Sequence, residues 1–375
     1  MTKKSSTGWI RTAVTAFTAA TVICAARAQH MPSEFVVSGD AAAATLDSGG
    51  INLDTAKAIG RVCARLAEER GVAVSVYVLD NDGNHVYVHR MDGQVWTNVA
   101  TAEMKARTAH GLRAPSKSLM NQATRNQAAE WREMELGLFS NAGGLPIIVD
   151  DSMIGAIGVG GSAPRLAEGW SDEICAHEAM AEVIGPQPPL IEDLPRQRPA
   201  EQLPTAQFRA EAPPESALPS EFVVSGAAAA RLFDGNQISA AAAVAVTDGC
   251  RAWIEGQGGT ASIYVIDNTA LAVHAERMDG QHPHAMETAL LKAETALRGR
   301  GPTSSREAGA HNNPGGYPRS VTLFGFYSVA GGVPIVVDNQ IIGSVGVSGT
   351  DGHDEACAVA GLEAAFGDRA TVPVY

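Results

Sequence analysis

The sequence predicts an α+β protein of two repeated domains, each a five-stranded, largely antiparallel sheet flanked by helices. Three observations predict it. The stretch Gly143-Gly144-Leu145-Pro146-Ile147-Ile148-Val149-Asp150-Asp151-Ser152-Met153-Ile154-Gly155-Ala156-Ile157-Gly158-Val159 returns at Gly331 to Val347, at an offset of 188 residues. In each copy two short apolar runs flank a polar pair, the pattern of a hairpin with mostly buried strands. A chain of 375 residues that is 45% hydrophobic can build more than one core, and the repeat decides for two domains.

Taken in order, residues 1–28 read as a signal peptide. Lys3, Lys4 and Arg11 precede an apolar core from Thr12 to Ala26, and Ala26-Arg27-Ala28 forms a small-x-small cleavage site before Gln29. That core is too short to span a membrane, which takes roughly 20 apolar residues, and the expectation is an exported protein. Export makes the remaining cysteines informative. Cys63 matches Cys250 and Cys175 matches Cys357 in the repeat, so one disulfide per domain is expected, Cys63 to Cys175 and Cys250 to Cys357, with free buried thiols as the alternative. Each bridge would close a long loop and contribute about 4 kcal/mol in the chain-entropy description.

Ser33-Glu34-Phe35-Val36-Val37-Ser38-Gly39 recurs as Ser220 to Gly226 and marks where each copy begins. The domains are read as 33–185 and 220–375, joined by a semi-rigid linker, 186–219, that holds nine prolines. The linker is long enough for the copies to pack face to face as an internal pseudo-dimer, with further homo-oligomers open.

Within the first copy, Leu53 to Arg70 has helical spacing and stops at Gly71; strands at 72–79 and 85–90 surround the turn Asp80-Asn81-Asp82-Gly83. The second copy repeats this at 261–266 and 272–277 without the turn glycine. Both returning strands end on one motif, Arg90-Met91-Asp92-Gly93 and Arg277-Met278-Asp279-Gly280. The next helices carry Lys105 and Thr108, or Lys292 and Thr295, three apart and hence on one face.

Residues 114–135 read as a polar helix, whereas 299–320 read as a Gly/Pro-rich loop carrying His311. Strands are expected at 136–140 and 324–328, then the glycine hairpin. Gly155, Gly158, Gly343 and Gly346 admit a close approach by a ligand or a helix. Last come helices with Asp172-Glu173 and Asp354-Glu355 in their first turns, where acids suit the helix dipole.

Asp80-x-x-Gly83, Arg90-Met91-Asp92-Gly93, Lys105-Ala106-x-Thr108-Ala109, Gly143-Gly144-Leu145-Pro146, Gly155-Ala156-Ile157-Gly158-Val159 and Asp172-Glu173, in this order, resemble the GlcG/HbpS-like family, which includes the C-terminal domain of PduO-type cobalamin adenosyltransferases. The resemblance covers about 140 residues of each copy. It implies a profilin/PAS-like α-β-α layering and, from the HbpS-like members, an exported haem-binding, haem-degrading or haem-sensing protein. It also implies that Thr108 and Thr295 lie near the iron. Haem also needs an apolar slot and cations for its propionates, which the glycine hairpin (Gly143, Gly144, Gly331, Gly332) and Lys105, Lys292, Arg90 and Arg107 could provide beside Thr108 and Thr295.

Other nitrogen donors are His110, the pair His85 and His89 four apart on one strand face, and Gln281-His282-Pro283-His284. A second reading is a metal-independent isomerase, lyase or hydrolase acting on a small organic acid. In it Arg90 and Arg277 bind the carboxylate while Asp92, Lys105, Asp279 and Lys292 supply acid and base. Arg90 and Asp92 are equally explained as an ion pair fixing the strand-to-helix corner. A third reading is a non-catalytic extracellular scaffold. A net charge of −13 lacks the footprint of a nucleic-acid binder. Walker, nucleophile-elbow and zinc-protease motifs are all missing.

Overall fold

Asn52 sits in extended backbone and its side chain accepts the Thr55 N–H at 2.8 Å, which starts helix α2 (Leu53–Glu69) after a short α1 (Gly39–Thr45). Ala56, Ile59 and Cys63 fall at helical spacing and are fully buried. Serine and alanine replace this cap in the second copy, where Ser239 accepts from Ala242 N to open α8 (Ala240–Gly256), following α7 (Gly226–Leu232). The computed structural model describes residues 32–46, 49–162, 169–194, 215–232, 234–313, 321 and 325–372. The expected signal peptide, most of the linker and Pro314 to Pro318 lie outside the described residues.

The strands are β1 (Ser75–Asp80), β2 (His85–Arg90), β3 (Gly144–Val149) and β4 (Ser152–Gly160), then β5 (Ser262–Asp267), β6 (Ala272–Arg277), β7 (Gly332–Val337) and β8 (Gln340–Ser348). Between them lie α3 (Trp96–Leu112), α4 (Lys117–Arg125), α5 (Gln127–Glu135) and α6 (Asp172–Ile184). In the second copy these become α9 (Pro283–Gly299), α10 (Thr303–Asn312) and α11 (Asp354–Phe366). All eight strands form one antiparallel sheet in the order β3-β4-β1-β2-β6-β5-β8-β7.

The fold class and the α-β-α layering stand as expected, with α3 and α9 on one face and α2, α6, α8 and α11 on the other. Three details differ. Each copy contributes four described strands, not five, because 136–140 and 325–328 are not strands. The copies meet edge to edge through β2 and β6, pairing Tyr87 with Glu276, Val88 with Ala275 and His89 with His274, instead of face to face. Residues 303–312 are helical where a loop was expected.

A bulge explains a further correction. Val78 pairs with Tyr87 but Leu79 pairs with His85, leaving Val86 as the extra residue. His85 therefore turns to α3, where it meets Glu103, and His89 turns to the opposite face, where it meets His274. Their spacing of four no longer puts them on one face.

Both sheet ends are closed by the chain itself. Pro146 and Pro334 lie on the edge strands; Gln187 bonds both backbone groups of Ile148, and Thr371 N–H donates to Val336 O. Cys63 and Cys175 tie α2 to α6 with Cα atoms 5.3 Å apart, and Cys250 and Cys357 tie α8 to α11 at 4.7 Å, the expected pairings at disulfide distance.

Candidate functional site

Arg90 and Arg277 end the two strands of the seam, and each reaches into the other copy. Arg90 Nη1 donates to Asp267 Oδ2 at 2.7 Å, and Arg277 Nη2 to Asp80 Oδ2 at 2.5 Å, with all four side chains buried. The same aspartates close their own turns, Asp80 accepting from Asp82 and Asn84 N–H and Asp267 from Thr269 and Leu271 N–H.

The motif aspartates also cross. Asp92 accepts the Ala240 N–H at 2.7 Å in the first turn of α8, and Asp279 the Leu53 N–H at 2.9 Å in the first turn of α2. Burial pushes both carboxyls up, opposed by these N–H groups and by the nearby arginines. Arg-Met-Asp-Gly is thus a reciprocal clasp between the copies. The expected corner pair of Arg90 with Asp92 is replaced by pairs across the seam.

Lys105 and Lys292 serve a different joint. Lys105 Nζ donates to Asp172 Oδ2 at 2.6 Å and Val159 O at 2.9 Å; Lys292 Nζ donates to Asp354 Oδ2 at 2.5 Å and Val347 O at 3.1 Å. Asp172 and Asp354 hold these lysines, while the N-cap of α6 is Ser171. The set Arg90, Asp92, Lys105 and its copy Arg277, Asp279, Lys292 is therefore spread over two joints with its cations already paired.

The expected haem set is equally engaged. Thr108 Oγ1 donates to Met104 O at 2.7 Å and accepts the Phe139 N–H at 2.8 Å; Thr295 does the same with Leu291 O and Tyr327 N–H. A Cβ on Gly144 would lie 2.1 Å from Lys105 O, on Gly332 2.2 Å from Lys292 O, and on Gly158 2.0 Å from Ala102 O. What approaches the glycine hairpin is the helix backbone. Gly143 and Gly331, at φ +119° and +123°, face Asp172 and Asp354. Lys105, Thr108, Gly143, Gly144 and their counterparts Lys292, Thr295, Gly331, Gly332 are all buried where α3 or α9 packs on the hairpin.

The remaining donors divide. His110 bonds Asn81 O at 2.9 Å and steadies the β1–β2 turn, and Arg107 pairs with Glu103 on its own helix. Burial would raise the Glu103 carboxyl, but His85 and Arg107 outweigh it and hold it down at about 2. His282 and His284 are exposed and stacked, with centroids 5.7 Å apart. The side chain of His311 lies outside the described residues.

An open groove runs between α2 and α8 over the seam, with a volume of about 690 Å³, within the range of small-ligand sites. Tyr87, His89 and His274 border it from the sheet, Met91 and Val244 give apolar walls, and the charged lining is Arg61, Arg65, Glu68 and Asp92, of which Asp92 is held by Ala240 N–H and Arg65 by Glu69 and Glu182. His89 and His274 approach through their Nδ1 atoms at 3.3 Å. Burial, then the neighbouring His274, Arg61 and Arg90, push the His89 imidazole down to about 3, so it is neutral at pH 7. A neutral nitrogen donor, an exposed cation and apolar walls fit the needs of haem. Sequence reasoning ranked His89 behind the family motif and missed Arg61. The signal lay in comparing the copies position by position: Arg61, Ala64, His89 and Val244 of the groove stand where the other copy has Asp248, Arg251, Glu276 and Lys57, while Glu68, Met91 and Asp92 are the same in both.

These observations define a tandem α-β-α protein whose repeated motifs build its own joint and whose open groove has small-ligand dimensions. The chain belongs to the haem degrading protein HbpS-like family, whose model matches residues 51–181 and 238–363, more than half of the chain. Protein GlcG of Escherichia coli K12 is 42% identical over 87 residues, 23% of this chain and 63% of that relative's length. The crystal structure of HbpS is 31% identical, covering 36% of this chain and 91% of that one at a TM-score of 0.32. The PduOC:haem complex is 22% identical, covering 35% and 94%, also at 0.32. Klebsiella pneumoniae protein ORFY is 25% identical, covering 35% and 90%, again at 0.32.

Proposed function

We propose that this chain is an exported haem-binding protein with two HbpS-like domains, 33–185 and 220–375, joined by the proline-rich linker 186–219. The observation that carries the reading is that both copies match one haem-related family. The groove at their seam adds a donor set of the right chemistry. Bound haem supplies a redox-active iron; the chain supplies a ligand, a counter-charge for the propionates and apolar walls. Export is supported by the leader-like residues 1–28 and by two cysteine pairs at disulfide distance. Among the described residues no helix is long and apolar enough to cross a membrane.

The test is titration of residues 29–375 with hemin, following the Soret band. A saturable shift supports the reading. A flat, non-saturating response overturns it.

A further inference from the structure

The repeat relates the copies by a pseudo-two-fold axis through the Val88 and Ala275 pair, so the sheet face between α2 and α8 has two equivalent halves. The halves are not furnished alike. Glu276 occupies the position equivalent to His89, and His274 that of Tyr87. Around Glu276 the half is filled: Lys57 of α2 contacts Glu276 and lies 3.2 Å from Asp248, while Arg251 of α8 pairs with Asp248 and lies 3.3 Å from Glu276.

In the other half the positions equivalent to Lys57 and Arg251 are Val244 and Ala64, and Arg61 stands for Asp248. Two long cations give way to short apolar side chains that line the groove, and Arg65, which also lines it where the other copy has Ala252, is turned to Glu69 and Glu182. Within it His89 engages His274 through Nδ1 only, so its Nε2 has no hydrogen-bond partner among the described residues. Arg61 is exposed and makes no ion pair among the described residues. His274, by contrast, is committed to Glu276 at 3.1 Å and buried.

We infer that the chain carries one haem site and not two, in the open half of this groove, with His89 Nε2 as the iron ligand and Arg61 as the partner of a propionate. The inference rests on the haem reading above and goes beyond it in site, ligand and stoichiometry. Tandem duplication has here produced one loaded half and one sealed half.

The experiment titrates the full chain with hemin by absorbance and by tryptophan quenching, and records the electron paramagnetic resonance of the complex. Wild type saturates at one equivalent with a nitrogen-ligand signature. His89→Ala loses that signature and weakens binding at least tenfold, about 1.4 kcal/mol. Arg61→Ala, an exposed change that leaves the fold intact by circular dichroism, weakens binding several-fold with the signature unchanged. Val244→Lys, which copies the sealed half, blocks binding. Saturation at two equivalents, or binding indifferent to both His89→Ala and Val244→Lys, overturns the single site while leaving haem binding in place. Absence of saturable binding to wild type overturns the haem reading itself.

Discussion

At the residue scale, a charged side chain's neighbours set its role. Lys105 is 3% exposed and its ammonium has a carboxylate and a carbonyl within bonding distance. Removing the cation leaves Asp172 with its Ser162 bonds alone, and a broken buried pair costs about 3 kcal/mol or more. Lys105→Met is therefore expected to lower the urea midpoint markedly while leaving the hemin stoichiometry at one. Loss of hemin binding at unchanged stability would return Lys105 to the ligand. The residue types of this joint were legible in the sequence, since a lysine recurring at one helix position and an aspartate recurring in one first turn must do something twice. Their pairing was not. The partner of Lys105 lies 67 residues away and that of Arg90 177 away, and neither distance can be read before the elements are placed.

Elements follow the same division. The glycine hairpin was legible because its apolar pattern and its polar turn recur together, and the structure shows why the glycines recur as well: α3 rests its backbone on β4 at Gly158. A methyl group there, 2.0 Å from Ala102 O, forces the helix off the sheet. Gly158→Ala is expected to destabilise by about 3 kcal/mol, the upper range for overpacking, read as a fall in the melting temperature. A change below about 0.5 kcal/mol would mean the contact relaxes freely. The strand expected at 136–140 failed for a local reason. Leu138 N–H returns to Glu133 O, Phe139 N–H goes to Thr108 and Asn141 N–H to Phe139 O, so the backbone of this apolar run is spent before it can join a ladder. Likewise the bulge at Val86 that separates His85 from His89 leaves no mark in an alternation of only six residues.

At the scale of the whole molecule, a disulfide ties each copy within itself and the seam ties the copies to each other. Each disulfide closes a loop, with partners 112 and 107 residues apart, and in the chain-entropy description adds about 4 kcal/mol. Reduction is thus expected to lower the melting temperature of both domains, as followed by calorimetry with and without reductant; an unchanged transition would show that the bridges do not form. The seam adds a dependence on acid. Burial alone would raise the Glu276 carboxyl, but His274 on its own strand and Lys57 from α2 outweigh it and hold it at about 2. Arg251 and Asp248 face it from α8, and Tyr87 lies opposite on β2. Because the folded value lies below the unfolded one, near 4.3, the stabilisation is complete above that unfolded value and fades as pH falls toward about 2. Urea midpoints measured from pH 7 to pH 2 should fall in this window for the wild type. Glu276→Gln should start lower at pH 7, because Lys57 and Arg251 lose one of the two acidic partners they share and keep the other, Asp248, and the gap should close on acidification. A gap that persists to pH 2 would place the acid sensitivity elsewhere, and the sealed half would then owe its closure to packing and not to charge.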